Sequence, residues 1–226
     1  MSGILDDPAR AAAAAAARTR VEPGMTIGLG SGRAVFALVD LLAATWRGTP
    51  LRAVAASVRT EARARAAGIE LVDLDGDLAL DLAIDGADEV DPRRALLKGG
   101  GGAMLREKLV LAAARRVVIV VEAPKLVDRL GATHTLPVEV VRFAWPTTRR
   151  RLLDLVGSAT LRQTGAGTPV VTDEGHHILD CVLPEGDPAV LATAIKATLG
   201  VVEHGLFLDP PDEVLVGHPD GTVRVL

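Results

Sequence analysis

Four consecutive glycines set the first constraint on this chain. Gly99, Gly100, Gly101 and Gly102 follow Lys98 and precede a run, Ala103–Ala114, that reads as a helix. Each glycine loses more backbone freedom on folding than any other residue, so such a run belongs where the backbone must reach φ > 0 or approach a ligand closely. It opens onto a helix N-terminus, whose free N–H groups and positive dipole suit an anion. Upstream, Leu78–Ile84 is apolar except for Asp81, with the length and composition of a buried parallel strand. It ends where the carboxylates begin, at Asp85-Gly86-Ala87-Asp88-Glu89. Ligand crevices of open α/β sheets lie beyond the carboxyl ends of the strands, which places Asp85, Asp88 and Glu89 at the rim of an expected pocket. Glu107 falls early in the helix. Taken singly, the carboxylates read equally well as solvated loop charges and the glycines as a plain turn. Together they supply acids, an ammonium and an anion cradle in one short segment, which suits proton transfer on a small phosphorylated or carboxylated substrate.

Strands and helices alternate through the first half. Residues 7–20 read as a helix rich in alanine, the best helix former, ending before Pro23-Gly24. Met25–Leu29 is a strand, Gly30-Ser31-Gly32-Arg33 a loop and Ala34–Ala44 a helix, a phosphate-binding type of unit. It is not a dinucleotide fingerprint, because Arg33 stands where the third glycine would fall, and it lacks the Gly-Lys-Ser/Thr end of a Walker A loop. A strand at Leu51–Ala56, a helix at Glu61–Ala67, a strand over 68–73 and a strong apolar strand at Arg116–Glu122 continue the alternation. This predicts an α/β fold with a doubly wound, mostly parallel, Rossmann-like sheet.

After Gly131 the order changes. Leu136–Val141 is a strand, Pro146–Val156 a helix and Ala159–Gln163 a strand; Pro169–Asp173 and His177–Val182 read as a hairpin around Glu174-Gly175. Asp187–Leu199 is a helix with Asp187 as N-cap, Pro188 at its first position and Gly200 at its stop, and a strand begins at Val201. That order is close to the split β-α-β unit of a small ferredoxin-like α+β domain. The expected division is 1–130 plus 205–226 for the catalytic domain and 131–204 for the second, with strands at Glu213–Val216 and Thr222–Leu226 returning to the first.

Composition narrows the function. The chain has 226 residues, 49% hydrophobic but only 2% aromatic, so a full-sized core must be built from Ala, Val and Leu. With 25 basic and 29 acidic residues it lacks the basic face a nucleic acid needs, and no nucleic-acid partner is expected. The single cysteine, Cys181, forbids an internal disulfide, permits a reducing compartment, and reads as a core residue within Ile178–Leu183. No apolar run approaches the ~20 residues that cross a bilayer, so no membrane partner is expected. The alanine run Ala11–Ala17 follows Asp6 and Asp7 rather than a basic segment, which reads as a helix and not a signal sequence. His176-His177 lacks partners at ligand spacing and reads as a surface pair; no metal site is expected.

The motifs Asp85-Gly-Ala-Asp88-Glu89 and Lys98-Gly-Gly-Gly-(x)4-Arg106-Glu107-Lys108 resemble the two signatures of the type A ribose-5-phosphate isomerase family. The resemblance extends over nearly the whole chain, through Gly28-Leu-Gly30-Ser-Gly32, Lys125-Leu-Val-Asp128-x-Leu-Gly131, Pro137-Val-Glu-Val140, Val171-Thr-Asp-x-Gly175 and Gly205-Leu-Phe207. It implies interconversion of ribose 5-phosphate and ribulose 5-phosphate in the non-oxidative pentose phosphate pathway. No cofactor or metal would take part, and a cytoplasmic homodimer or homotetramer is implied.

An aldose–ketose isomerase moves a proton between C1 and C2 through a cis-enediolate, and the family motif puts that role on Glu107. A glutamate in water is a weak base at neutral pH; burial under substrate would strengthen it. Lys98 and the amides of Gly99, Gly100 and Gly101 are the candidates to hold the enediolate oxygen. Asp85 and Asp88, with Gly86 and Ala87 between them, would hold sugar hydroxyls, Asp85 being the favoured ring opener. Ser31, Gly32, Arg33 and Ala34, with Lys125, would hold the phosphate or sugar end. The family loop usually reads Thr-Gly-Ser-Thr, so here two hydroxyls are lost and a guanidinium able to hold phosphate bidentately is gained. The rival readings are a non-catalytic sugar-phosphate sensor, for which no basic helix-turn-helix is present, and a coenzyme A transferase with a glutamate nucleophile.

Overall fold

The computed structural model describes residues 6–46, 51–76 and 78–226. In chain order the first elements are α1 (Pro8–Arg18), β1 (Thr26–Leu29), α2 (Arg33–Thr45), β2 (Arg52–Ala55), α3 (Val58–Ala66), β3 (Glu70–Leu71) and β4 (Leu82–Gly86). Next come β5 (Glu89–Val90), β6 (Leu96–Leu97), α4 (Met104–Ala112), β7 (Val117–Glu122) and a 3-10 turn at Ala123–Lys125. Then follow β8 (Leu136–Val140), α5 (Trp145–Leu152), β9 (Ser158–Leu161), β10 (His177–Val182), α6 (Pro188–Lys196), β11 (Val201–His204), β12 (Leu206–Phe207), β13 (Glu213–Gly217) and β14 (Val223–Val225). Among the described residues no helix is long and apolar enough to cross a membrane.

The chain divides into two compact units. The first comprises Met1–Ala87, Arg106–Leu126 and Pro211–Leu226, the second Asp88–Leu105 and Val127–Pro210. Against the sequence expectation of 1–130 plus 205–226 and 131–204, this division assigns 88–105, 127–130 and 205–210 to the second unit.

The first unit is a seven-stranded sheet in the order β14-β13-β7-β4-β1-β2-β3, parallel except at the β14 edge. Read from β3, this is the doubly wound order in which the chain reverses direction between β1 and β4. All four residues of β1 are buried, as in a strand covered on both faces. Ile27, Leu29, Leu82 and Ile84 face a core shared with Ala13, Ala17, Leu38 and Leu42 of α1 and α2. Ala83 and Leu80 face the other side, with Val110 of α4. The scarcity of aromatics is met by close approach: a Cβ on Gly217 of β13 would lie 1.9 Å from the Ala9 carbonyl oxygen of α1. Asp7 caps α1 by accepting from the amides of Ala9 and Arg10, and buried Arg10 is paired with Asp7 and Glu122.

The second unit contains the antiparallel sheet β11-β8-β10-β9 with α5 and α6 on its apolar face. Its order is that of the ferredoxin-like split β-α-β unit. Cys181 lies in this core, fully buried, and burial together with the nearby Asp180 charge pushes its thiol up to about 12. The expected hairpin strand at 169–173 shrinks to single bridges, Gln163 to Pro169 and Val171 to His177, because β10 already pairs with β8 on one side and β9 on the other. His177 is buried, its ring set T-shaped against Trp145, and Glu139 Oε1 lies 3.0 Å from His176 Nδ1; the pair is not a surface pair.

A third, small sheet, β12-β6-β5, also belongs to the second unit. It corrects the reading of Glu89 as a rim carboxylate. Glu89 is fully buried and accepts hydrogen bonds from the amides of Gly131, Thr133 and His134 and from the Thr133 hydroxyl. Burial alone pushes its carboxyl up, but the Thr133 hydroxyl and these amides outweigh that and hold it below its ordinary value. A carboxylate so depressed contributes stability above its unfolded-state pKa and loses it as pH falls through the folded one. Glu89→Gln is therefore expected to cost about 2–4 kcal/mol at pH 7 in urea melts. The gap to wild type should begin to close below pH 4.5, the unperturbed value.

Candidate active site

In the first unit the predicted site residues gather at the carboxyl edge of the sheet, most of them at the reversal point between β1 and β4. Beyond β1 the chain runs Gly30-Ser31-Gly32 into α2, with Gly32 as N-cap at φ 97° and without a side-chain cap. The first-turn amides of such a helix have no intrahelical acceptor. At the end of β4, Asp85 is fully buried, and its Oδ1 accepts from the amides of Ser31 (3.1 Å) and Gly86 (2.7 Å). Gly30 makes this possible: a Cβ there would fall 1.9 Å from the Asp85 carboxyl carbon. Ala34 is a near neighbour of Gly86, 3.8 Å from where its Cβ would stand. Arg33 is exposed, and Lys125 closes the 3-10 turn after β7.

Ser57 and Thr60 tie this loop down. Ser31 Oγ bonds Ser57 Oγ, Ser57 Oγ bonds Thr60 Oγ1, and Thr60 Oγ1 donates to the Gly30 carbonyl (2.8–2.9 Å). Ser57 is also the N-cap of α3, which starts three residues before the expected Glu61. The spacing Ser57-x-x-Thr60 was the available signal.

Glu107 lies in the first turn of α4, only 5% exposed. Three residues on, Val110 packs against β1 and β4: a Cβ on Gly28 would meet Val110 Cγ1 at 2.5 Å and Ala83 Cβ at 3.0 Å. Residues i and i+3 share a helix face, so Glu107 is on the sheet-facing side of α4. Residues two apart share a strand face, so Gly30 follows Gly28 and Asp85 follows Ala83 on that same side. A crossover helix between parallel strands runs against them, which carries its N-terminus to the carboxyl edge. Asp85 and Glu107 thus occupy the same face and the same edge of the first unit.

In the second unit Lys98 is 2% exposed, with Nζ 5.4 Å from the centre of the Phe207 ring. Its amide donates to the Gly205 carbonyl (2.9 Å), and a Cβ on Gly205 would lie 2.1 Å from the Lys98 oxygen, so Gly205-Leu-Phe207 is the support of Lys98. Gly99 is buried at φ 99°, while Gly100 and Gly101 are exposed. Asp88 Oδ2 accepts from the Gly100 amide (2.8 Å). A cleft of about 440 Å³ in the same unit, lined by Asp91, Arg93, Leu130, Leu183 and Asp187 among others, contains none of the predicted site residues.

Fold and residues together define a two-unit α/β enzyme whose first unit sets buried carboxylates beside a glycine loop at a helix N-terminus. The family model described as ribose 5-phosphate isomerase A (phosphoriboisomerase A) matches residues 52–221, and the chain belongs to that family. It is 46% identical over 219 residues to a ribose-5-phosphate isomerase A of Synechococcus sp. (strain JA-3-3Ab), covering 95% of each chain. It is 49% identical over 224 residues to one from Roseiflexus sp. (strain RS-1), covering 97% of this chain and 96% of the relative. Among solved structures it is similar to ribose 5-phosphate isomerase A from Methanocaldococcus jannaschii, with TM-score 0.91 and 35% identity, covering 96% of this chain and 97% of that one. It is also similar to a D-ribose-5-phosphate isomerase solved in complex with phospho-erythronic acid, with TM-score 0.90 and 34% identity over 96% of each chain.

Proposed function

We propose that Glu107 moves the proton in an aldose–ketose isomerisation of ribose 5-phosphate and ribulose 5-phosphate, the reaction of the family to which the chain belongs. The observation that carries this role is its burial in the first turn of α4, on the same face and edge of the sheet as Asp85. A carboxylate removed from water and set near a sugar is stronger as a base than one in solution. In the forward direction it takes the C2 proton of the open-chain aldose and returns it to C1 on the same face of the cis-enediolate.

The negative oxygen that forms in between is assigned to the Lys98 ammonium and to the amides of Gly99, Gly100 and Gly101; donors held ready in this way are worth several kcal/mol of barrier. Asp85 and Asp88 are assigned to sugar hydroxyls, with Asp85 taking the ring-opening proton. Gly86 and Ala87 form the backbone between them. Ser31, Gly32, Arg33 and Ala34, together with Lys125, are assigned to the phosphate end. Support for this comes from the uncapped first turn of α2 and the cations at the same sheet edge. Homodimeric or homotetrameric assembly and a cytoplasmic location rest on family membership alone.

A coupled assay with ribose 5-phosphate tests the reading: turnover should be seen and should survive EDTA, and no turnover would overturn it. In the same assay Arg33→Ala should raise KM about tenfold, with kcat nearly unchanged, since one charge-assisted phosphate contact is worth about 1.5 kcal/mol. An unchanged KM would mean that Arg33 serves solvent alone.

A further inference from the structure

A loop of four glycines does not hold its own orientation, because each residue visits positive and negative φ with similar ease. The loop closes one turn on itself, the Gly102 amide donating to the Gly99 carbonyl (3.0 Å), and a partner outside it is needed to fix which way that turn faces. In the second unit that partner is Arg162, immediately after β9. Its Nη1 donates to two successive carbonyls of the loop, Gly99 O (2.9 Å) and Gly100 O (3.0 Å). The other side of the guanidinium is held by Asp180 of β10, through Nε to Oδ2 (3.0 Å) and Nη2 to Oδ1. The pair is mostly buried, with 17% and 24% of the two side chains exposed.

The consequence follows from peptide geometry. In a planar trans peptide the C=O and the N–H point in opposite directions. Pinning the Gly99 carbonyl on Arg162 turns the Gly100 N–H away from it, and that N–H meets Asp88 Oδ2 (2.8 Å). Pinning the Gly100 carbonyl on the same nitrogen turns the Gly101 N–H to the same side. One nitrogen of one guanidinium therefore aligns two consecutive peptide planes.

We propose that Arg162, held by Asp180, is a positioning residue that orders the loop amides, directing the Gly100 amide onto Asp88 and turning the Gly101 amide toward the negative oxygen of the enediolate. This rests on the assignment of the loop amides above. Arg162 lies behind the loop and acts through it.

The test uses the full chain. Arg162→Ala is expected to lower kcat about 10²-fold, the size of effect seen when oriented groups are misplaced by an ångström or so. KM for ribose 5-phosphate should stay within about threefold, because the amides are needed most when charge develops. Phospho-erythronic acid, which carries a carboxylate where the enediolate would be, should lose affinity in parallel with kcat. Added guanidinium ion should restore part of kcat to Arg162→Ala and do nothing for wild type. Should Arg162→Ala not fold, Asp180→Asn keeps the guanidinium but loosens it, and about a tenfold loss in kcat with the same inhibitor effect is expected.

Full kcat in either folded variant overturns the clamp while leaving the isomerase assignment intact. So does a loss that falls equally on KM and is untouched by guanidinium, which would mark Arg162 as merely structural. Absence of ribose 5-phosphate turnover in the unaltered chain overturns both.

Discussion

Glu107→Gln should fold like wild type and lose at least ~10²-fold in kcat, with KM for ribose 5-phosphate little changed. Glutamine keeps the shape and the packing of the buried side chain in the first turn of α4 and removes only its ability to take a proton. Val110, on the same helix face, should keep its seat against Gly28. The measurement is a pair of steady-state curves with a thermal melt as control. Solvent deuterium adds a second readout: wild type should wash label into the sugar at the transferred position, and the variant should not. Near-normal turnover would remove Glu107 from the role of base and move attention to Asp85.

Gly30→Ala should have an effect of similar size by a different route. The added methyl would lie 1.9 Å from the Asp85 carboxyl carbon and Oδ1 and 2.5 Å from Oδ2, so Asp85 must leave its place. In leaving, it gives up the Ser31 amide, and the loop that leads into α2 is left tied to β4 through the Gly30 amide on the Ile84 carbonyl. Overpacking a buried site of this kind costs about 1–3 kcal/mol of stability. Displacing a carboxylate assigned to the substrate should cost about 10²-fold in kcat/KM. Urea melts and kinetics on the same preparation separate the two losses. Full kcat/KM would show that Asp85 works equally well from a shifted position, and its assignment to the sugar would fall.

Much of the parallel sheet was legible because its strands carry their own signal. Leu82–Ile84 and Val117–Val121 are apolar runs flanked by charges and turns, and such runs fold as buried strands wherever the chain places them. The strands of the third sheet were not legible, since Glu89–Val90, Leu96–Leu97 and Leu206–Phe207 are two residues long and too short to show a period. Even β4 was read one turn of chain too early: it extends through Asp85 to Gly86, because hydrogen bonding to β7 continues past the last apolar residue.

The candidate site divides in the same way. Asp85, Asp88, Lys98 and Glu107 stood out because their chemistry is concentrated within about two dozen residues of sequence. What each one touches came from far along the chain and left no local mark. Glu89 looked like its neighbour Asp88 until Gly131, Thr133 and His134 were seen around it. Ser57 and Thr60 lie just before the expected helix at Glu61, and nothing local showed that Thr60 reaches the Gly30 carbonyl. Arg162 carried no motif, because its partners are carbonyl oxygens, which every residue possesses.

The threading of the chain has a consequence for the nascent protein. Strand β13 is the parallel neighbour of β7, with Val118 opposite Glu213, yet the whole of Val127–Pro210 is synthesised between them. While the ribosome makes that intervening stretch, β7 has an open backbone edge, the kind of surface on which chains aggregate. The ferredoxin-like sheet lies wholly within the intervening stretch and can close before the last strands exist, and the long loop to Pro211–Leu226 closes last. Speed of translation past residue 127 is thus a physical variable in the yield of this protein, and anything that delays or removes β13 leaves the inner strand unprotected.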